Sequence, residues 1–167
     1  GLGGTGGKIL KAFRQRLWNE KTEEERIGIG FIYVDSSNDM LDPTNMTYET
    51  IHGNCCFEEN DFVDIKRNCD IDAIFRNPES FPRLAGILGN VTETQTAVSP
   101  LGAAADQKRR AGRILFAANI DAYLNKLAST IGRVHRGNER LDIYIFAGLA
   151  GGTGSGCILD TIIQTRK

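Results

Sequence analysis

The residues best suited to chemistry lie near the end of the sequence, in the segment from Gly148 to Gly156, which reads GLAGGTGSG. Five of these nine residues are glycine, so the backbone can come close to a ligand and present successive N–H groups to it. Thr153 and Ser155 add hydroxyl groups that can donate hydrogen bonds. This composition is typical of a loop that binds an anion such as phosphate.

The elements on either side of this loop must position it. Residues 141–147 (LDIYIFA) form a short run rich in β-branched and aromatic residues, which predicts a strand. The apolar residues after Gly156 recur at helical spacing, so a helix is expected to begin in the loop and to direct its positive dipole end toward a ligand. A flexible linker is disfavoured, because linkers are not usually held between two apolar periodic segments.

A second glycine-rich segment, Gly1 to Gly7 (GLGGTGG), leads directly into another predicted amphipathic helix. We expect the apolar face of this helix to be buried and its basic residues to lie on another face; the apolar residues are Ile9, Leu10, Phe13 and Leu17, and the basic ones are Lys8, Lys11 and Arg14. The segment matches the dinucleotide pattern G-x-G-x-x-G, which is weak evidence by itself. A Walker A loop is disfavoured, because Leu2 and Ile9 replace its first glycine and its Ser or Thr.

The next predicted strand, residues 27–34, is apolar enough to be buried on both faces of a parallel sheet. It leads into Asp35-Ser-Ser-Asn-Asp39. A carboxylate at this end of a strand beside a glycine loop commonly meets a ribose or a hydrated metal ion. The alternative is a turn capped by its own side chains, since Asp, Ser and Asn all bond the local backbone.

Residues 41–100 show little periodicity and contain all four prolines, which predicts an elaborated excursion on the surface. Within it we expect a short strand at residues 62–65 and a helical turn at residues 71–75. After it, Asp106 is a plausible cap for a long helix from Gln107 to about Arg133. The predicted buried stripe of this helix consists of Ala111, Ile114, Leu115, Ala118, Leu124, Leu127, Ala128 and Ile131.

Basic residues crowd the first turns of that long helix, namely Lys108, Arg109, Arg110 and Arg113. Positive charge is unfavourable at a helix N-terminus unless an anion lies nearby. The run therefore indicates either an anion site or a solvated basic turn that costs a few tenths of a kcal/mol.

Size and composition exclude several classes of protein. The 167 residues, 41% hydrophobic and with a net charge of −1, fit one domain with no global field for nucleic acid. No apolar run approaches the ~20 residues that span a bilayer, and we expect a cytoplasmic protein.

The four cysteines do not resemble a disulfide framework, and zinc at His52, Cys55, Cys56 and Cys69 is disfavoured by irregular ligand pairing. Because the sequence begins at Gly1 without Met, we expect it to be a fragment of a longer chain.

Strands that alternate with helices predict an α/β fold, a three-layer Rossmann-like parallel sheet with helices on both faces. Ligands of such sheets bind at the carboxyl edge of the strands, near the topological switch point. Two glycine-rich loops at one edge would suit a ligand with several phosphates.

Ala150-Gly-Gly-Thr-Gly-Ser-Gly156 resembles the signature loop of the tubulin and FtsZ superfamily. Gly1 to Gly7, Val34 to Asp39 and Gly102 to Ala105 are similar, in order and spacing, to the first, second and third nucleotide loops of that family. The long excursion and the basic run look most like the bacterial tubulin-like branch. The resemblance identifies residues 1–167 as one nucleotide-binding domain, truncated at both ends, with an excursion at about 41–100.

The resemblance implies binding of GTP or GDP with Mg²⁺, filament formation by self-association, and hydrolysis coupled to assembly in the full-length protein. It assigns the nucleotide to Gly3, Gly4, Thr5, Lys8, Asp35, Gly102, Ala103, Ala104, Ala150, Gly151, Gly152, Thr153, Gly154 and Ser155. Lys8 replaces an amide that FtsZ-type members place near the base. The family's downstream acidic loop lies beyond Lys167, so we expect this chain alone to be catalytically inert and can name no catalytic residue.

Two other functions fit the same residues. An NAD-dependent oxidoreductase would explain Gly1, Gly3, Gly6 and Asp35 but leaves the second glycine loop without a role. A non-catalytic scaffold would bind nucleotide to fix its shape and recruit a partner through the excursion.

Overall fold

The computed structural model describes residues 1–37, 41, 49–50, 53–66, 69–98, 108–135 and 140–166. Its α-helices are α1 (Gly3–Glu20), α2 (Glu23–Arg26), α3 (Ile71–Arg76), α4 (Ala85–Leu88), α5 (Val91–Val98), α6 (Arg109–Ala118), α7 (Ile120–Val134) and α8 (Thr153–Thr165). Its strands are β1 (Tyr33–Asp35), β2 (Glu49–Thr50), β3 (Gly53–Asn54) and β4 (Phe62–Asp64), with short 3-10 turns at Glu59–Asp61, Pro78–Ser80 and Pro82–Leu84. The chain is thus a helix-rich α/β protein.

A small parallel sheet organises these elements. β1 pairs in parallel with β4, with Val34 opposite Val63. Leu2 forms isolated parallel bridges with Val34 on one side and with Ala147 on the other. Across the sheet, the order is therefore Ala147, Leu2, β1 and β4. The chain first adds β1 and β4 on one side of Leu2 and later adds Ala147 on the other side.

Two predicted strands are shorter than expected. Within and just after the strand predicted at 27–34, only Tyr33–Asp35 forms a strand. Its first residues instead form a turn after α2, in which the Ile29 amide donates to the Arg26 carbonyl at 2.9 Å. Of residues 141–147, Ala147 is the one with a bridge, and the amide of Leu2 donates to the carbonyl of Phe146 at 2.8 Å. No described strand lies on the far side of this segment, and its residues are half-buried or exposed.

The long helix predicted from 107 to 133 is broken at Asn119. The Asn119 side-chain amide donates to the carbonyls of Ile65 (2.7 Å) and Leu115 (3.0 Å), and its backbone leaves the helical region. Ala118 and Ala128, which we predicted to be buried, are exposed, while Tyr123 and Thr130 are buried. Asp106 lies outside the described residues.

Helix α1 also differs from its predicted burial. Leu10 is buried, but Ile9 and Phe13 are 41% and 45% exposed, and Arg14 is only 7% exposed. The Arg14 guanidinium lies 4.4 Å from the ring centroid of Trp18 and pairs with Asp61 at 3.1 Å. A guanidinium can be buried when an aromatic face and a carboxylate replace its water, which the helical periodicity does not reveal.

The predicted short strand and helical turn of the excursion are confirmed as β4 and α3. Sequence reasoning missed α4 and α5, which follow them. The excursion does not only cover the surface, because it supplies much of the main hydrophobic core, including Ile65, Ile71, Ile74, Leu84, Leu88 and Val98. A second cluster of Leu10, Phe31, Cys55 and Phe57 lies beneath α1.

An apolar cavity of about 370 Å³ lies between residues 28–32, residues 141–146 and the side of α7. It is lined mainly by aliphatic and aromatic side chains. Gly1 and Leu2 also line it, whereas residues 3–7 and 148–156 do not. Among the described helices, none is both long and apolar enough to cross a bilayer.

Candidate functional site

The two glycine-rich segments are in direct backbone contact. Gly3 has a φ of +68°, a conformation that favours glycine, and a Cβ on Gly3 would lie 2.8 Å from the amide nitrogen of Gly154. Conversely, a Cβ on Gly154 would lie 2.7 Å from the carbonyl oxygen of Leu2. These glycines are required because the two chain segments pass too close for any side chain.

Two further contacts join the same segments. A Cβ on Gly148 would lie 2.6 Å from Oγ1 of Thr5, and one on Gly6 would overlap the carbonyl oxygen of Phe146. The first turn of α1 therefore packs against the chain at Phe146, Gly148 and Gly154, on the approach to α8.

Both segments begin helices at the same edge of the sheet. Leu2 precedes α1 and Ala147 precedes the loop before α8, and the two residues are bridged in parallel. Their carboxyl sides consequently face one edge, where the chain order reverses and ligands of α/β sheets bind. Gly4, Thr5 and Ala150 are exposed at this edge and Gly151 is half-buried, so a ligand can reach the backbone.

The end of β1 adjoins the same edge. Asp35 is buried, and its carboxylate accepts hydrogen bonds from the Tyr33 hydroxyl at 2.6 Å and from the Ser36 amide at 2.7 Å. Oγ of Ser36 lies 3.2 Å from Oγ1 of Thr153, the first residue of α8. The structure thus joins the carboxyl end of β1 to the N-terminus of α8 through a carboxylate and two hydroxyls.

Comparison with protein families decides the relationship of this chain. A family model described as "Tubulin like" matches residues 1–167. The chain belongs to the tubulin-like family. No curated protein and no solved structure gives a significant match.

Several predicted residues of the tubulin-like site come together. One contact network contains Gly3, Thr5, Asp35, Thr153 and Gly154, and its linking residues are Ser36 and Gly148. Gly152 is the N-cap residue of α8, and the Ser155 hydroxyl donates to the carbonyl of Gly151 within the loop. Ser155 is therefore bonded within its own helix turn, and the N-terminus of α8 has no side-chain cap.

Other predicted residues stand apart. Lys8 is exposed in α1 and makes no side-chain hydrogen bond or ion pair with another described residue. Gly102, Ala103 and Ala104, which we predicted as the third loop, lie outside the described residues, as do Asp39 and His52. The assignment of Lys8, Gly102, Ala103 and Ala104 to the nucleotide stays a prediction.

Sequence reasoning missed the contacts that align α8 with α6. A Cβ on Gly112 would overlap the carbonyl oxygen of Gly152, and one on Gly156 would overlap the carbonyl oxygen of Arg109. An isolated glycine inside a helical pattern is a sequence signal for such a close approach. Tyr33 was also missed, although residues i and i+2 of a strand share a face and so place it beside Asp35.

Beneath the site, the Cys157 thiol donates to the carbonyl of Thr153 at 2.9 Å. Burial raises the pKa of Cys157 to about 12, and the nearby Asp35 carboxylate acts in the same direction. The thiol therefore stays protonated at neutral pH and acts as a packing group rather than as a nucleophile.

Proposed function

We propose that this tubulin-like chain binds a guanine nucleotide, GTP or GDP, at the sheet edge formed by the N-termini of α1 and α8. In the full-length protein, we propose that GTP hydrolysis is coupled to self-assembly into filaments in the cytoplasm. The proposal is supported by two helix N-termini held side by side, because each offers free N–H groups and a partial positive charge to a polyphosphate.

One observation carries the proposal. Among the glycines of the two segments, Gly3, Gly6, Gly148 and Gly154 are explained by close contacts within the protein, whereas a Cβ on Gly4 or Gly151 would meet no atom within 4 Å. The fold itself does not require these two residues to be glycine. Because both are accessible at the shared edge, their missing side chains leave room for a ligand against the backbone.

The residues near the edge also suit Mg²⁺. This ion usually keeps several waters and is held by one or two carboxylates together with substrate phosphates. Asp35 would supply the carboxylate, and the hydroxyls of Ser36 and Thr153 are oxygen donors beside it. When bound, the ion would neutralise part of the phosphate charge.

We also infer the finer architecture and lineage. The bridges of Leu2 to Val34 and Ala147 widen the sheet beyond the β1–β4 pair. The main core is separate from the second cluster, which lies beneath α1. These features support a three-layer Rossmann-like sheet with helices on both faces. The long excursion at about 41–100 and the basic run from Lys108 to Arg113 support membership of the bacterial tubulin-like branch.

The decisive experiment is titration calorimetry of GTP with Gly151→Ala. A methyl group here meets open space in the protein, so the variant should fold normally, but it would enter the volume into which the phosphates must fit. We expect affinity to fall at least tenfold, which is about 1.4 kcal/mol.

Gly132→Ala provides the matched control, because its Cβ also meets no atom within 4 Å but lies in α7, which supplies no residue to the site. GTP affinity equal in Gly151→Ala, Gly132→Ala and wild type would refute the assignment. Hydrolysis is tested separately by phosphate release against concentration of the full-length protein. An assembling GTPase gains specific activity above a critical concentration, whereas a non-catalytic scaffold stays flat.

A further inference from the structure

Helices α6 and α8 form an interlocked pair next to the candidate site. Their backbones approach each other at Gly112 and Gly156, where no side chain separates them. Farther along, the Arg113 guanidinium makes two hydrogen bonds to the Asp160 carboxylate, at 2.7 and 3.1 Å. A bidentate pair fixes relative orientation as well as distance, so α6 has a defined register against α8.

This register places Arg109, the first residue of α6, beside the signature segment 148–156. One guanidinium nitrogen of Arg109 donates to the carbonyl oxygen of Leu149 at 3.0 Å. Leu149 is itself 64% exposed, so its side chain does little to anchor the loop. The carbonyl held by Arg109 lies two residues before Gly151, which the proposed function places against the phosphates.

The neighbouring Arg110 differs in this respect. It is equally a basic, exposed residue of the first turn of α6, yet it makes no side-chain hydrogen bond or ion pair with any described residue. The two arginines therefore provide the same charge at adjacent positions, and the bond to the loop distinguishes them.

We propose that Arg109 is a positioning residue of the phosphate loop, which holds the Leu149 carbonyl and so fixes residues 148–152 before a ligand binds. This inference rests on the proposed nucleotide function. Preorganisation raises affinity because the loop does not have to be ordered during binding.

The test compares Arg109→Gln with Arg110→Gln, which remove the same charge. Hydrogen exchange followed by mass spectrometry is measured on the nucleotide-free protein, and GTP affinity is measured by calorimetry. We expect Arg109→Gln to speed exchange of the amides of 148–152 and to weaken GTP binding by about three- to tenfold, as one hydrogen bond from a charged donor permits. Arg110→Gln should leave both unchanged.

Arg109→Lys retains the charge and can donate one bond without the planar fork, so it should restore part of the protection. Equal weakening of GTP binding by both Gln variants would show a general charge effect and would overturn the proposal. Unchanged exchange in Arg109→Gln would also overturn it, even if affinity fell, since Arg109 would then act on the nucleotide directly. If the wild-type protein bound no GTP, the proposed function would fail, while the exchange comparison would still decide whether Arg109 positions the loop.

Discussion

Replacing Gly154 with alanine tests whether the two glycine segments are packed as the structure shows. The added Cβ would lie 2.7 Å from the carbonyl oxygen of Leu2 and 3.1 Å from that of Gly148. Both neighbours are backbone atoms, so neither can rotate away as a side chain could. Overpacking of this kind costs about 1–3 kcal/mol, and alanine recovers at most about 1 kcal/mol through its higher helix propensity. We therefore expect the free energy of unfolding to fall by about 1–2 kcal/mol.

Urea denaturation gives this free energy directly, and calorimetry should show Tm lower by roughly 3–6 °C for a chain of this size. Gly132→Ala is the control, because its Cβ meets open space in a helix, and it should raise stability by up to about 1 kcal/mol. If Gly154→Ala were as stable as Gly132→Ala, the segments would not be in contact and the shared edge would not exist.

Two further predictions concern the groups around the site. Tyr33→Phe removes the 2.6 Å bond to the buried Asp35 carboxylate but keeps the ring, so the free energy of unfolding in urea should fall by about 1–2 kcal/mol; an unchanged value would contradict this bond. Burial raises the Cys157 pKa from its ordinary value of 9.0 to about 12. At a pH between these two values the thiol is protonated in the folded protein but largely deprotonated in the unfolded chain. The free energy of unfolding should therefore decline as pH rises above about 9. The decline between pH 8 and pH 10 should be smaller in Cys157→Ala, and an equal decline in both proteins would contradict the raised pKa.

The sequence predicted the parts of the site that depend on local chemistry. A glycine-rich segment between apolar periodic runs was sufficient to predict the helix start at α8, and the order of segments was sufficient for the parallel arrangement of Leu2, β1 and Ala147. These features depend on residue type and short-range spacing, which the sequence displays directly.

The sequence failed where distant residues decide the outcome. The break at Asn119 depends on a carbonyl of Ile65, which is far away in the chain. The burial of Arg14 depends on Asp61 and on an aromatic face, so a basic residue replaced Phe13 as the buried group. Periodicity assigns a helix face by hydrophobicity alone and cannot anticipate a polar side chain whose partners come from another element.

Most of the basic residues at the start of α6 have hydrogen-bond partners within the protein. The sequence left two interpretations, a bound anion or a solvated turn, but the structure supports a third. Lys108 donates to the carbonyl of Val98, Arg109 to that of Leu149, and Arg113 to the Asp160 carboxylate.

Each cation at a helix N-terminus costs about 0.3–1 kcal/mol, and each of these bonds offsets an amount of similar size. Three of the four cations are therefore held within the protein without an anion, and Arg110 is exposed, so the charge of this turn does not by itself indicate phosphate. A phosphate is indicated instead by Gly4 and Gly151, the glycines of the two segments that face open space at the shared edge. Nucleotide affinity should accordingly respond to a methyl group at Gly151 and not to the charge of Arg110.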